Sequence, residues 1–548
     1  MKYFILFLTL ITGIEYSVIA QTPTWSWGKN GGGGAADYAF GTAIDASGNV
    51  YYCGNFYSTN ATFGSVSLVS GGLADGFLCK YDANGNFKWV KQISGPDIEV
   101  CEKVVVNSTG DIFVTGYSEG DFSADGNTFT SYGEGDGFVA KYSNSGVLKW
   151  INHFGGPGDD YPYSLALDNK GKCVVVGTFE HSMSIGGFTL TSQNDSLYDC
   201  FVAKFDKQGN VLWATSAGGD SSHAYVFASD VTIDIHGSIF ITGTYTGPVK
   251  FGDDSLGENE EAFLTKLNSN GIFQWAVDAG SRCYYTYIAV DASSNIYVTG
   301  SFGAYGFHSQ IGDFTLVPNG DFMDVYLAKF NSSGVAQSVH TGGSELNDFA
   351  GGLASDAAGN TWITGYILGT TATFGSESFT SSGLDDVFVT GYDSLGNVSW
   401  LKKAAGGNVD HAFDLAYDGN NVLSIAGSFK KKIKLGGITL NAPSTSSDAW
   451  LGTISIDGFV KMAGSNEASF NVEVFPNPAA DALIVKSNGQ HHVELQVFNS
   501  SGELEMFQTI MLNGKNESTL DISSLPAGIY FLSLNEDGKK SVTKFTKQ

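Results

Sequence analysis

An all-β fold, a seven-bladed β-propeller followed by a small Ig-like β-sandwich, is what this sequence of 548 residues predicts. Three recurring marks predict it, and internal repeats are the first thing to seek in a chain of this length. A strand closing on glycine, typified by IFVTGY, ends at Gly54, Gly116, Gly177, Gly243, Gly300, Gly365 and Gly427, spacings of 57 to 66 residues. An acid followed two residues later by an aromatic falls at Asp75, Asp136, Asp199, Glu261, Asp324, Asp386 and Asp448. A tryptophan strand comes next at Trp89, Trp150, Trp213, Trp275 and Trp400, with Gln337 near the fifth expected place and Val460 near the last.

Each unit reads as four short strands. β-branched and aromatic residues alternate through IFVTGY (112–117), IYVTGSF (296–302) and DGFVAKY (136–142), and no helical period fits. Two turns per unit have the form DASGN (45–49) or DANGN (82–86), where Gly supplies a positive φ and Asp or Asn bonds the local backbone. A four-stranded sheet of this size cannot bury both faces alone, so neighbours must stack. Radial stacking of seven also protects the strand edges. Trp25 to Gly28 supplies an eighth outer strand for seven places. It is expected to complete the seventh sheet beside AWLGTI (449–454), with Gly458 to Met462 leading out; the reverse assignment stays open.

The pattern DxxGNxYVTGxF followed by DxFxAKYDxxGNxxW resembles the bacterial SBBP-type β-propeller repeats over about 430 residues, Trp25 to roughly Met462. That family shares a fold and no single activity, so the resemblance implies architecture and carries over no catalytic residue.

Along the chain, residues 1–20 read as a cleavable secretory signal. Lys2 precedes an apolar run from Phe4 to Ile11, and small Val18 and Ala20 precede Gln21. No Cys follows that cut to take a lipid anchor, and no later stretch has the apolar length of a membrane span. Residues 21–462 form the propeller. The formal net charge is -27, which argues against nucleic acid and anionic lipid as partners. Six cysteines remain, Cys53, Cys79, Cys101, Cys173, Cys200 and Cys283. In a common antiparallel register, at most one of Cys53/Cys79 and Cys173/Cys200 suits a disulfide, and buried thiols in place of Ala or Val are expected for most.

The DxxGN hairpins fall on one rim and are alike. The long second-to-third connections, such as 57–75, and the links between units, such as GGGGAADYAF (31–40), fall on the other, where a ligand site is expected around a central channel. Polar residues recur after the Gly pair of those links: Asp37, Asp160, His223, Asp348, and Asp410 with His411. A ring of carboxylates would suit a cation or sugar hydroxyls. The same aspartates suit backbone capping at the entry to the inner strand, which repetition in every unit favours. Tyr38, Tyr161, Tyr225 and Phe349 beside them suit packing between units. No cofactor is indicated. DxxGN lacks the alternating ligands and distal Glu of a calcium loop, so calcium is a weak expectation. HExxH, the P-loop and zinc spacings are absent.

A polar linker over 463–470 leads to a second β domain, 471–548. FPNPAAD (475–481), LPAGIY (525–530) and the basic end KFTKQ (544–548) closely resemble the type A C-terminal sorting domain of the type IX secretion system of Bacteroidota. The resemblance marks Pro476, Asn477, Pro478, Leu525, Pro526, Ala527, Gly528 and Tyr530 as the sorting motif. It implies recognition by the outer-membrane translocon, then removal and release or attachment at the cell surface. The expected protein is a monomeric, secreted or surface-displayed binding and adhesion propeller for a glycan, protein or cation. An extracellular polysaccharide hydrolase or lyase and a non-catalytic scaffold are the alternatives.

Overall fold

The computed structural model describes residues 23–193, 197–219, 221–257, 261–456, 472–487, 492–499, 504–511, 517–536 and 539–548. The expected leader (1–20), the expected linker (463–470) and Val460 lie outside them. The protein is all-β, with 64% of it in strands, and it is assembled from small antiparallel sheets, none of which closes on itself. One single-turn helix, Ala304–Gly306, is the exception among the described residues. The chain divides into two compact bodies, Thr22–Asp457 and one holding the C-terminal strands.

The large body repeats one unit of four sequential antiparallel strands seven times. The first strands are Asp37–Ile44, Glu99–Val106, Asp160–Leu167, Tyr225–Ile233, Cys283–Val290, Asp348–Ser355 and Asp410–Tyr417. In unit 1 the order continues through Val50–Phe56, Asp75–Tyr81 and Phe87–Ser94. In unit 7 the fourth place belongs to Thr24–Gly32, which pairs antiparallel with Ser447–Ser455 in the register Gly28↔Gly452. The first strands contact one another in sequence, and the seventh returns to the first. Their turns are built as the residues require: in DASGN the Asp45 carboxylate accepts the amides of Ser47 and Asn49 at 2.9 Å each, and Gly48 has φ 76°.

Period-two alternation sends the two faces of each sheet into different cores. In Val50–Phe56 every residue is buried. Tyr51 and Cys53 join Val104, Val114 and Phe138 of unit 2, whereas Tyr52 and Phe56 join Ala426, Ala449 and Leu451 of unit 7. A unit alone would expose both faces. All six cysteines are free and buried, and the register sets Cys79 opposite Tyr52 and Cys200 opposite Thr178.

The marker glycine has a steric cause. In every unit the first strand carries a β-bulge opposite it: Ala39 faces Gly54, Gly41 faces Cys53, and Phe40 is left over. A Cβ on Gly54 would lie 1.9 Å from the Tyr38 carbonyl oxygen, and one on Gly116 would lie 1.8 Å from that of Val100. The tryptophan has one too. Its indole N–H donates to the turn between third and fourth strands of the next unit, Trp89 to Asn144 O at 3.1 Å and Trp150 to Lys207 O at 2.9 Å. Trp27 repeats this with Ala83 O at 3.0 Å, linking unit 7 to unit 1 from the place expected near Val460.

The second-to-third connections differ from expectation. Each folds a short hairpin, such as Asn60–Phe63 with Val66–Val69, so the unit has six strands rather than four. These hairpins lie along the fourth strand of the preceding unit, with Gly31↔Phe63, Ser123↔Ser94, Gly342↔Phe374 and Ala404↔Leu435 in register. Unpaired edges recruit them, and much of the length expected to form a ligand-bearing rim is thereby spent on edge protection.

In the C-terminal body a three-stranded sheet (Val472–Phe475, Ala482–Ser487, Glu517–Asp521) and a four-stranded sheet (His492–Asn499, Leu504–Met511, Gly528–Glu536, Lys539–Lys547) share one apolar cluster that includes Leu483, Val485, Leu520, Leu525, Leu532 and Phe545.

Candidate functional site

The bulges define the site. The residue left over in each first strand is Phe40, Glu102, Tyr163, Ser229, the pair Tyr285 and Thr286, Gly351, and Phe413. Except for Gly351, all of them line one cavity of about 420 Å³ enclosed by the first strands, together with Lys103, Ser164, Phe227, Asp230, Tyr287 and Asp414. Bulges re-aim a side chain, and here they aim successive residues at one space.

Charge in the cavity is unbalanced. Lys103 Nζ pairs with Asp414 Oδ1 at 2.6 Å, and Asp414 Oδ2 accepts the Thr42 amide at 2.8 Å. Burial raises the Asp414 pKa against the pull of Lys103. Burial also works against the Lys103 ammonium, but Asp414 and Asp230 outweigh it and hold its pKa up. Asp230 accepts the Ser164 hydroxyl at 2.6 Å and the Ile288 amide at 2.9 Å, so it ties units 3, 4 and 5 together. Burial alone pushes the Glu102 carboxyl up to about 7. Three carboxyls thus face one ammonium that is already paired. Thr286, fully buried, has an Oγ1 with no hydrogen-bond partner.

A belt of half-buried rings runs past the cavity. Tyr285 meets Phe349 (5.5 Å between centroids), Phe349 meets Tyr366 (4.9 Å), Tyr366 meets His411 (3.9 Å), His411 meets Phe413 (5.7 Å) and Phe413 meets Phe40 (5.7 Å). Tyr38 and Tyr57 extend it, and Tyr285 is 55% exposed, so ring faces remain available for stacking.

None of the residues singled out from sequence lines the cavity, although His411 belongs to the ring belt beside it. Asp37, Asp160, Asp348 and Asp410 are fully buried, each at a different junction between units. Asp37 accepts the Gly33 amide at 2.8 Å, and Asp348 accepts the amide and hydroxyl of Ser344. His223 is exposed beside Ser222, while His411 Nε2 lies 2.8 Å from Asp385 Oδ2. Sequence reasoning missed Glu99, which takes the same place in unit 2, and missed the cavity residues altogether. The available signal was divergence: within like-patterned first strands, Glu102, Tyr163, Ser229 and Phe413 differ at one position. Among the described residues no group of three or more His, Cys, Asp or Glu converges as a metal centre.

In the sorting motif, Pro476, Pro478, Pro526 and Ala527 are exposed. Asn477 Oδ1 accepts the Thr546 amide at 2.9 Å, and the buried Tyr530 donates its hydroxyl to Pro526 O at 2.9 Å, with Leu525 buried and Gly528 opening the strand. The motif therefore ties its loop to the last strand.

Residues 473–548 match the family model of the secretion system C-terminal sorting domain. Over 455 residues the chain is 23% identical to an uncharacterized WD repeat-containing protein of Acanthamoeba polyphaga mimivirus, covering 67% of this chain. It spans 32% of that protein's own length. Two solved structures of proteins of unknown function are similar at low identity. One, from Bacteroides caccae, is 11% identical with a TM-score of 0.31 over 60% of this chain and 89% of that one. The other, from Bacteroides thetaiotaomicron, is 10% identical with a TM-score of 0.32 over 79% and 73%. The sorting domain marks the protein as one exported by the type IX system, to the cell surface or the medium.

Proposed function

We propose that this exported protein is a binding protein built on a seven-bladed β-propeller, and that its central cavity takes a small neutral or cationic solute such as a sugar or an amine. The C-terminal body, read as an Ig-like sandwich, serves as the address presented to the translocon. One observation carries the reading: the residues that break the repeat, Glu102, Tyr163, Ser229, Tyr285 and Phe413, line a single cavity. A fold requirement would repeat there, and these positions do not. The aromatic belt supplies stacking surfaces, and the unbalanced carboxyls disfavour anions.

Titration calorimetry of the mature protein against glucose, glucosamine, choline and lactate tests this. Binding of the sugars or amines that is lost in Phe413→Ala, with none for lactate, is expected. Silence from every probe, or preference for lactate, would overturn it. A second reading, hydrolysis of a polysaccharide, draws on Glu102, whose pKa of about 7 suits a general acid. Release of reducing ends that disappears in Glu102→Gln would select that reading over simple binding.

A further inference from the structure

At five of the seven junctions two buried acids meet, one opening the third strand of a unit and one opening the first strand of the next. The pairs are Asp75 with Glu99, Asp136 with Asp160, Asp324 with Asp348, Asp386 with Asp410 and, between units 7 and 1, Asp448 with Asp37. None of the ten is more than 4% exposed. Several use an oxygen to cap the loop before them: Asp75 accepts the Gly71 amide at 3.0 Å, Asp136 that of Tyr132 at 2.6 Å, and Asp324 and Asp386 those of Asn319 and Ser382. Other oxygens lack a well-formed hydrogen bond: Asp75 Oδ1, Glu99 Oε2, Asp136 Oδ1, Asp324 Oδ1, Asp386 Oδ1, Asp448 Oδ1 and both oxygens of Asp160 and of Asp410, beside which only the amides of Gly156 and of Gly406 and Lys430 come near.

The paired carboxyls face each other closely. The Cβ position of Gly343 lies 2.2 Å from Asp324 Oδ1 and 2.4 Å from Asp348 Oδ2, so those oxygens are no more than 2.2 + 2.4 = 4.6 Å apart. The same construction on Gly32 places Asp37 Oδ2 and Asp448 Oδ1 within 2.5 + 3.0 = 5.5 Å. Glycine keeps that space open, since a methyl group would fill it. Asp37 and Asp348 are bonded on both oxygens within their own loops, but the acids they face keep an oxygen without a donor, and facing carboxylates in a dry interior call for a positive partner. Oxygens alone, with no thiolate or imidazole ligand in the pair, suit a hard cation, and two oxygens each at about 2.3–2.6 Å from calcium span up to about 5 Å.

We propose that these five junctions each bind a hard divalent cation of the calcium class, which ties the third strand of one unit to the first strand of the next. The competing occupant is a proton shared by each pair. It would need no metal and would leave the sites indifferent to chelators.

Elemental analysis of the full mature chain, dialysed against EDTA and reloaded with calcium, separates the two. About five equivalents are expected, falling by about one in Asp160→Asn and in Asp410→Asn, with a higher unfolding temperature in calcium than in EDTA. Terbium luminescence on the unmutated protein, sensitised by Tyr161 next to Asp160, gives a second readout that does not depend on a variant folding. Less than one equivalent bound with an unchanged unfolding temperature, or uptake untouched in both Asn variants, would overturn the proposal in favour of the shared proton.

Discussion

Replacing Gly116 with alanine tests the link between the repeat's marker and the cavity. The new Cβ would sit 1.8 Å from the Val100 carbonyl oxygen, where real contacts of this kind are essentially never under 3.0 Å. Relief requires the first strand of unit 2 to move by about 3.0 - 1.8 = 1.2 Å at its bulge. That shift strains the Cys101↔Gly116 ladder, costing one or two backbone hydrogen bonds at about 1 kcal/mol each, and overpacking adds about 1–3 kcal/mol. We expect Gly116→Ala to destabilise by about 2–5 kcal/mol in urea unfolding. Gly300→Ala, whose Cβ would lie 2.7 Å from Tyr284 O beside the longer bulge of unit 5, should cost about 1 kcal/mol. Gly437→Ala, with nothing within 4 Å, should stay within about 0.5 kcal/mol. Equal effects for Gly116 and Gly437 would refute the steric account of the marker. The displaced bulge also carries Glu102, so cavity binding should weaken in Gly116→Ala more than in Gly437→Ala.

Three further outcomes are expected. Trp150→Phe loses the indole donor to Lys207 O and the cover over Gly209, and should cost about 1–2 kcal/mol by chemical denaturation. In EDTA, stability should fall as pH rises from about 4 to 8. Burial and the facing acid raise Glu99, Asp160, Asp348 and Asp410 to about 8, and Asp448 to about 7, so the folded state holds protons that the unfolded chain has released above its ordinary carboxyl range. That stabilisation is complete below the unfolded pKa values and gone above the folded ones; calcium should flatten or reverse the slope, and urea midpoints at pH 5 and 8 with and without the ion measure it. Removal of residues 471–548 should leave the exported chain in the periplasm, read by fractionation and immunoblotting, and normal export of that truncation would overturn the sorting role.

What was legible in the sequence is what every unit must repeat. Gly54 and its counterparts recur because a carbonyl stands where a Cβ would go, and Trp89, Trp150 and Trp213 recur because each latches the next unit. Trp25 to Gly28 could be assigned to the seventh unit for the same reason, although the latch itself falls on Trp27. The hairpins were hidden in Gly- and Ser-rich connections. Their two-residue turns do leave a trace, with Gly64, Gly186, Gly312, Gly375 and Gly436 at φ between 54° and 59° after an apolar residue. The bulges left only the divergence of the one residue that each sets apart, because one extra residue in a strand does not disturb a hydrophobic pattern enough to be seen.

Periodicity is a local property, so residue order alone determined that seven like units exist, where their strands begin, and that the chain carries an export address. Which side chains meet is set by register and by closure between distant units. Only the tertiary structure could bring Lys103 to Asp414 and gather Glu102 with Tyr163 and Phe413, because those partners belong to different units and no spacing along the chain encodes the bulge that turns them toward one another.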